Sequence, residues 1–307
     1  MPLHTLVKRW RSPLERGIQG LLLVAACSAI LIVGFILLYL AKESYPLLAE
    51  VSLGDLLGDR WLPASDPPRF GMLPLLTGSV LVTLLATLLA VPFGVCGAVY
   101  VAEFASDRER ALLKPFVEVL AGIPSVVLGF FGLMVVGQVV KQVFGLTQGL
   151  TALTGAILLA FMAIPTILSV SEDAIRAVPK SYREAALAMG ASRWQTTWRV
   201  IVPAASSGVL AAVMLGVGRV VGETMAVLMV TGNAAQITLS PFESVRTMTA
   251  TIAAEMGEVA HGSDHYHALF LVGLLLLLMT LGINLTARRF VRGRVAGKTA
   301  SRLGGRA

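Results

Sequence analysis

At 307 residues, with 56% hydrophobic and 14% charged side chains, the chain is too apolar for a soluble domain, where about a quarter of residues are charged. Its formal charge of +7 does not point to nucleic acid, because the basic residues sit in short segments flanking apolar runs, a pattern that sets membrane orientation. Cys27 and Cys96 lie inside such runs and read as small hydrophobes rather than a disulfide or metal pair.

The N-terminal tail carries Lys8, Arg9, Arg11 and Arg16 and precedes an uncharged run over 18–41, long enough to cross about 30 Å of hydrocarbon as a helix. Val24 to Cys27 loosely matches a lipoprotein cleavage box, but the apolar run continues past it, so an uncleaved first span is expected. Residues 42–70 mix charge with Gly54, Gly58, Pro63, Pro67 and Pro68, which is loop chemistry with one short surface helix. Span two falls in the run 70–102, with a kink at Pro92 and close-approach points at Gly78, Gly94 and Gly97.

A charged turn is predicted over 103–114 and span three over 119–140. Pro124 and Ser125 there either turn a freed carbonyl toward protein or a cavity, or mark a plain packing kink. A tight turn over 141–149 overlaps the start of the uncharged run 142–171, which holds span four and Pro165. Span five is placed at 206–231 and span six at 268–287. A polar segment, 232–267, joins them, helical by composition over 244–260, and a basic tail follows span six.

The longest polar interruption within the apolar part of the chain, Glu172 to Pro203, reads as a docking loop. Glu184, Ala185, Ala186 and Gly190 fall at helical spacing, so two small side chains lie beside a carboxylate and a glycine ends the helix. A small face lets another protein approach closely. Six spans put both termini, the 103–114 turn and the docking loop on one side with 19 of the 25 Lys and Arg residues, against five on the other side and Arg219 within span five. The positive-inside rule makes the richer side cytoplasmic. No internal repeat or separate soluble domain is visible, which disfavours a self-contained ion-coupled carrier.

Arg219 and Glu223, four residues apart in span five, are predicted to share one helix face. A central membrane charge costs around 2.5 to 3.5 kcal/mol, so each needs an offset. Either they form a permanent ion pair that locks the bundle, or Arg219 lines a polar path and meets an anion; arrival of a substrate could break the pair. His261, Asp264, His265 and His267 cluster in the external segment but read as solvated interface residues, so no metal is expected. Gly293 to Thr299 ends in GKT, yet its glycines are too close together for a phosphate-binding loop and no strand precedes it. With no nucleophile, base or carboxylate pair assembled, the chain reads as a transport subunit, not an enzyme, and needs no cofactor.

The segment EAALAMG at 184–190, followed by RVIVP at 199–203, resembles the EAA loop of binding-protein-dependent ABC importer permeases. The family form is Glu-Ala-Ala, three residues, Gly, nine residues, then Ile-x-Leu-Pro; here Val200 and Val202 replace Ile and Leu while Pro203 is kept. LAGIPSVVLGFFG at 120–132, GRVVGETMAVLMVTGN at 218–233 and RTMTATIAAEMGEVAHGSDHYHALF at 246–270 are similar to the phosphate-specific branch of that family, of the PstC type. The sister PstA type reads GETAPLL where this chain has GETMAVL.

The resemblance implies an all-α membrane protein with six transmembrane helices in the type I ABC importer permease (MetI-like) fold. It divides the chain into residues 1–72, with the cytoplasmic N-tail, first helix and periplasmic loop, a core permease domain over 73–290 with its coupling loop at 172–203, and a basic cytoplasmic tail over 291–307. It further implies a bacterial inner-membrane location, a heterodimer with PstA, two copies of the ATPase PstB, and the periplasmic phosphate-binding protein PstS. Arg219, Glu223 and Thr224 would line the phosphate path, and Glu184, Ala185, Ala186 and Gly190 would couple to the ATPase. Another oxyanion, sulfate or molybdate, is the alternative cargo; a membrane scaffold or sensor relaying phosphate status is the alternative role.

Overall fold

The structure, a computed structural model, describes residues 13–304 and the side chains of 17–286. Lys8, Arg9 and Arg11 lie outside the described residues, as do the side chains of Arg16 and of the basic tail. Six helical stretches among the described residues are long and apolar enough to cross a membrane: Gly17–Glu50, Leu73–Phe104, Ser125–Phe144, Ala152–Arg176, Arg193–Gly222 and Asp264–Thr286.

The chain opens with α1 (Pro13–Glu50), whose side chains over 17–33 are all exposed, as a lipid-facing helix requires. A short helix, α2 (Leu53–Leu56), is capped by the Ser52 hydroxyl, and a two-stranded hairpin follows, with β1 (Trp61–Leu62) antiparallel to β2 (Arg69–Phe70). The expected loop is therefore a folded cap: Trp61 is buried and stacks edge-on against Phe70 and His265 at 6.2 Å. Such a core is invisible in local composition because His265 is remote in sequence.

α3 (Leu73–Val99) runs into a π-helical turn, Tyr100–Phe104, and α4 (Asp107–Gly122) begins almost at once. The predicted charged turn over 103–114 is thus mostly helix, for a local reason. Ser106 and Glu109 form a reciprocal capping box, each side chain accepting from the other's backbone N–H, and this nucleates a helix directly after the π turn. Span three starts only at α5 (Ser125–Phe131), because Pro124 forces Ile123 into extended backbone (φ −64°, ψ 129°). It continues through a π turn, Gly132–Val136, and α6 (Gly137–Phe144) to Gly145, whose φ of 63° ends it. Span four is α7 (Ala152–Arg176), begun by the Thr151 hydroxyl and extending five residues into the expected docking loop.

Beyond α7 come α8 (Lys180–Ala188), α9 (Arg193–Thr196) and a π turn, Thr197–Ile201. Then follow α10 (Val202–Gly222), α11 (Met225–Val230), α12 (Met248–Glu255) and α13 (Asp264–Gly304). The segment 293–299 is helical backbone within α13. α7 is the axis of the bundle. Its Ile167 fills the space left by Gly94 of α3 and Gly216 of α10, where added Cβ atoms would come within 2.8 and 2.5 Å of that side chain. Small residues at helix crossings are how membrane bundles gain packing without a hydrophobic driving force. α1 joins α13 through Tyr39 and Phe270 (ring centroids 5.6 Å apart) and through His267 Nδ1 and the Glu43 carbonyl at 2.7 Å.

Candidate functional site

Span five was expected to run unbroken to Thr231, but α10 stops at Gly222 and Glu223 has extended backbone (φ −72°, ψ 130°). Glycines at 216, 218 and 222 weaken the helix locally, and tertiary partners take the freed groups. The Glu223 carbonyl accepts from the Thr249 hydroxyl at 2.9 Å, and Glu223 Oε1 accepts from the Ala226 N–H at 3.3 Å. The break separates the two charges that sequence spacing placed on one face. Arg219 stands in the last turn of α10, at the negative end of its dipole, while Glu223 caps the positive end of α11. Among the described residues no ion pair joins them, so of the two alternatives the intrahelical lock is not formed, and each charge lies at a helix end.

Among the described residues Arg219 finds neutral hydrogen-bond acceptors: one guanidinium nitrogen reaches Thr166 Oγ1 at 3.4 Å and another the Ala121 carbonyl at 3.3 Å. Both bonds are long for a charged donor, and the side chain is half-buried. A guanidinium in apolar surroundings with no carboxylate is suited to receive an anion. Thr224 is partly exposed at the break, its hydroxyl donating to the Gly222 carbonyl at 3.3 Å.

α8 carries the EAA residues as the spacing indicated. Gly190 has φ 83°, and the Gly190 and Ala191 N–H groups bond the Leu187 and Ala186 carbonyls, a full Schellman ending that only a residue at ease with positive φ completes. One part of the predicted docking face changes: Ala185 and Glu184 are exposed, but Ala186 is 2% exposed and packs into this chain. The outward surface of α8 is instead made by Glu184, Ala185, Leu187 and the 81%-exposed Met189. Arg183 ties α8 to its own bundle, with Nε 3.1 and 3.2 Å from the two Glu103 carboxylate oxygens and a second nitrogen 2.9 Å from the Val178 carbonyl.

Two carboxylates that sequence reasoning passed over are the best-partnered charges here. Glu172, at 1% side-chain exposure, has Lys114 Nζ at 3.1 Å, Arg176 at 3.3 Å and Arg110 Nε at 3.5 Å. Its hydrogen bond raises the Lys114 pKa above the ordinary lysine value, against opposing desolvation. The available signal was Arg176, four residues on at helical spacing, but the polar run masked the end of span four. The second, Glu255, accepts from Trp61 Nε1 at 3.1 and 3.2 Å and from Arg246 at 2.7 Å, and lies 2.8 Å from His265 Nε2. The expected external His cluster is thereby dispersed: His265 joins Glu255, His267 joins Glu43, and His261 stacks on Tyr266 at 4.5 Å. Among the described residues no group of three or more His, Cys, Asp or Glu could hold a metal ion.

Six apolar spans, a short outward helix between two of them and an under-partnered cation at a helix break define a multi-pass membrane permease subunit. A model of the family described as the binding-protein-dependent transport system inner membrane component matches residues 90–294, and the chain belongs to that family. It is 38% identical over 268 residues to the probable ABC transporter permease protein YqgH of Bacillus subtilis, covering 86% of this chain and 87% of that one. It is 32% identical over 296 residues to the phosphate transport system permease protein PstC of Mesorhizobium japonicum, covering 90% and 89%. Solved structures with the same fold include the inward-facing MetNI methionine ABC transporter (TM-score 0.56, 20% identity, 75% of this chain and 99% of that chain). A bacterial ABC transporter that imports the acidic polysaccharide alginate also matches (TM-score 0.59, 16% identity, 92% and 99%). The chain is a multi-pass inner-membrane permease subunit of an ABC importer, a class that works with a separate ATPase and a binding protein.

Proposed function

We propose that this chain is the PstC-type permease of an ATP-driven importer of inorganic phosphate, forming half of the translocation path with a PstA-type sister. Two copies of a PstB-type ATPase would lie below and a PstS-type phosphate-binding protein above, with both termini cytoplasmic. ATP is hydrolysed by the partner, and residues 73–290 form the working core between a tethering first helix and the basic tail. The single observation that carries the reading is Arg219 at the end of a broken span with two long bonds to neutral acceptors, within a chain 32% identical to a phosphate permease over 90% of its length.

Arg219 attracts the anion, Thr224 offers a hydroxyl at the break, and Glu223 accepts a hydrogen bond from the protonated oxygen that phosphate has and sulfate lacks. Glu184, Ala185 and Gly190 form the surface that meets the ATPase, while Ala186 fixes α8 to its bundle. In liposomes holding the assembled importer, Arg219→Ala is expected to lower phosphate uptake about a hundredfold with assembly intact, the scale of a lost charged hydrogen-bond set. Unchanged uptake would favour the scaffold role. Glu223→Gln should narrow the preference for phosphate over sulfate, and an unaltered ratio would move selectivity to the binding protein.

A further inference from the structure

Glu172 links the coupling region to Arg219. It lies on the last turns of α7, and only Ala177, Val178 and Pro179 separate that helix from α8, so any displacement of α8 is felt at Glu172. Two of its three cations, Arg110 and Lys114, belong to α4. The same helix is fastened a second time where Arg110 donates to the Val101 carbonyl at 2.8 Å, in the π turn whose Glu103 holds Arg183 of α8. At its other end α4 presents the Ala121 carbonyl, one of the last four without an intrahelical partner, to Arg219 at 3.3 Å. Cations favour the negative end of a helix, but a carbonyl holds a guanidinium more weakly than an anion does.

We propose that Glu172 is a positioning residue that makes α4 a latch on Arg219. Movement of α8 shifts the end of α7, the ion cluster around Glu172 carries α4 along, and the Ala121 carbonyl withdraws so that the guanidinium is released to the passing anion. A buried carboxylate clamped by three cations suits this role, because removing its partners would leave that buried charge uncompensated and the two helices therefore move together. The inference rests on Arg219 being part of the anion path.

The test uses the complete importer in liposomes, with phosphate uptake and ATP hydrolysis measured together. In Glu172→Gln, hydrolysis should stay within about twofold while uptake per ATP falls about tenfold, the scale at which residues along a coupling route act, and Glu172→Asp should recover most of the loss. Proportional loss of both activities, or an unchanged ratio, overturns the latch. A second measurement covers a variant that fails to assemble: Gly218→Cys, in a Cys27→Ala, Cys96→Ala background, places a thiol beside Arg219 where the glycine has open space. Its reaction with a charged methanethiosulfonate should change about fivefold on vanadate trapping of nucleotide, and Lys114→Gln should abolish the change. A rate indifferent to nucleotide, or unaffected by Lys114→Gln, overturns the proposal even if Arg219→Ala blocks uptake. If Arg219→Ala leaves uptake intact, the path reading falls while the thiol measurement still decides whether α4 moves.

Discussion

Glu172 and Arg219 are both charges placed among apolar helices, and they are partnered in opposite ways. Glu172 has three cations within 3.5 Å and almost no exposure; Arg219 has two neutral acceptors at 3.3 and 3.4 Å. A saturated charge costs too much to disturb and so acts as a fastener, whereas an under-partnered one retains the capacity to bind. Glu255 repeats the first pattern where it ties the hairpin cap at Trp61 to α12 and α13. The ion clusters around Glu172 and Glu255 fasten helices to one another, and the span-five break carries the under-partnered charge.

The contrast would break most severely at Arg219. Arg219→Lys keeps the charge but loses the planar fork, and uptake is expected to fall about tenfold with assembly unchanged, as read by initial uptake rates. If lysine supported full uptake, a point charge would suffice and fork geometry would carry no weight. Glu255→Gln tests the second fastener: it should lower stability by about 2 kcal/mol, the cost of unmaking charged hydrogen bonds, seen as reduced thermal stability of the purified complex. Its uptake per surviving complex should stay close to normal, unlike that of Arg219 variants.

Gly190→Ala should cost about 1 kcal/mol, because a Cβ is forced to positive φ at the end of α8, and should weaken co-purification of the ATPase. Glu109→Gln should have the smallest effect. Its carboxyl sits below the ordinary value of 4.5 because it accepts from the Ser106 N–H and hydroxyl. The contribution of the capping box is therefore present above pH 4.5 and is lost as pH falls through the lowered value. The check is amide exchange over residues 106–110, faster in Glu109→Gln at neutral pH and converging with the parent in acid. The Lys114 shift has the opposite sign: its contribution is complete below 10.5 and is lost only as pH rises through the raised value, so Lys114 keeps its charge at neutral pH.

Much of the architecture was legible because its signals are local. Six apolar runs became six spans, Gly190 ended the helix that carries the EAA residues, and Gly94, marked as a close-approach point, meets Ile167 of α7. Less local features were missed. The 103–114 segment read as a charged turn because its capping box was outweighed by net polarity, and the start of span four was blurred where no charge marks the Thr151 cap. The break at Glu223 was hidden inside a continuing apolar run, since Thr249, whose hydroxyl donates to the freed carbonyl, is 26 residues away.

By itself the sequence determined that this chain crosses a membrane six times and carries an EAA helix, since burial in lipid demands long apolar helices and a Schellman glycine is a short-range requirement. Only the tertiary structure decided that Arg219 and Glu223 part company, that Ala186 turns inward, and that Glu172 binds cations from a helix some 60 residues earlier. The reason is physical: hydrophobicity and backbone preference act over a few residues, whereas the partner of a buried charge is chosen by whichever helix the folded chain brings alongside.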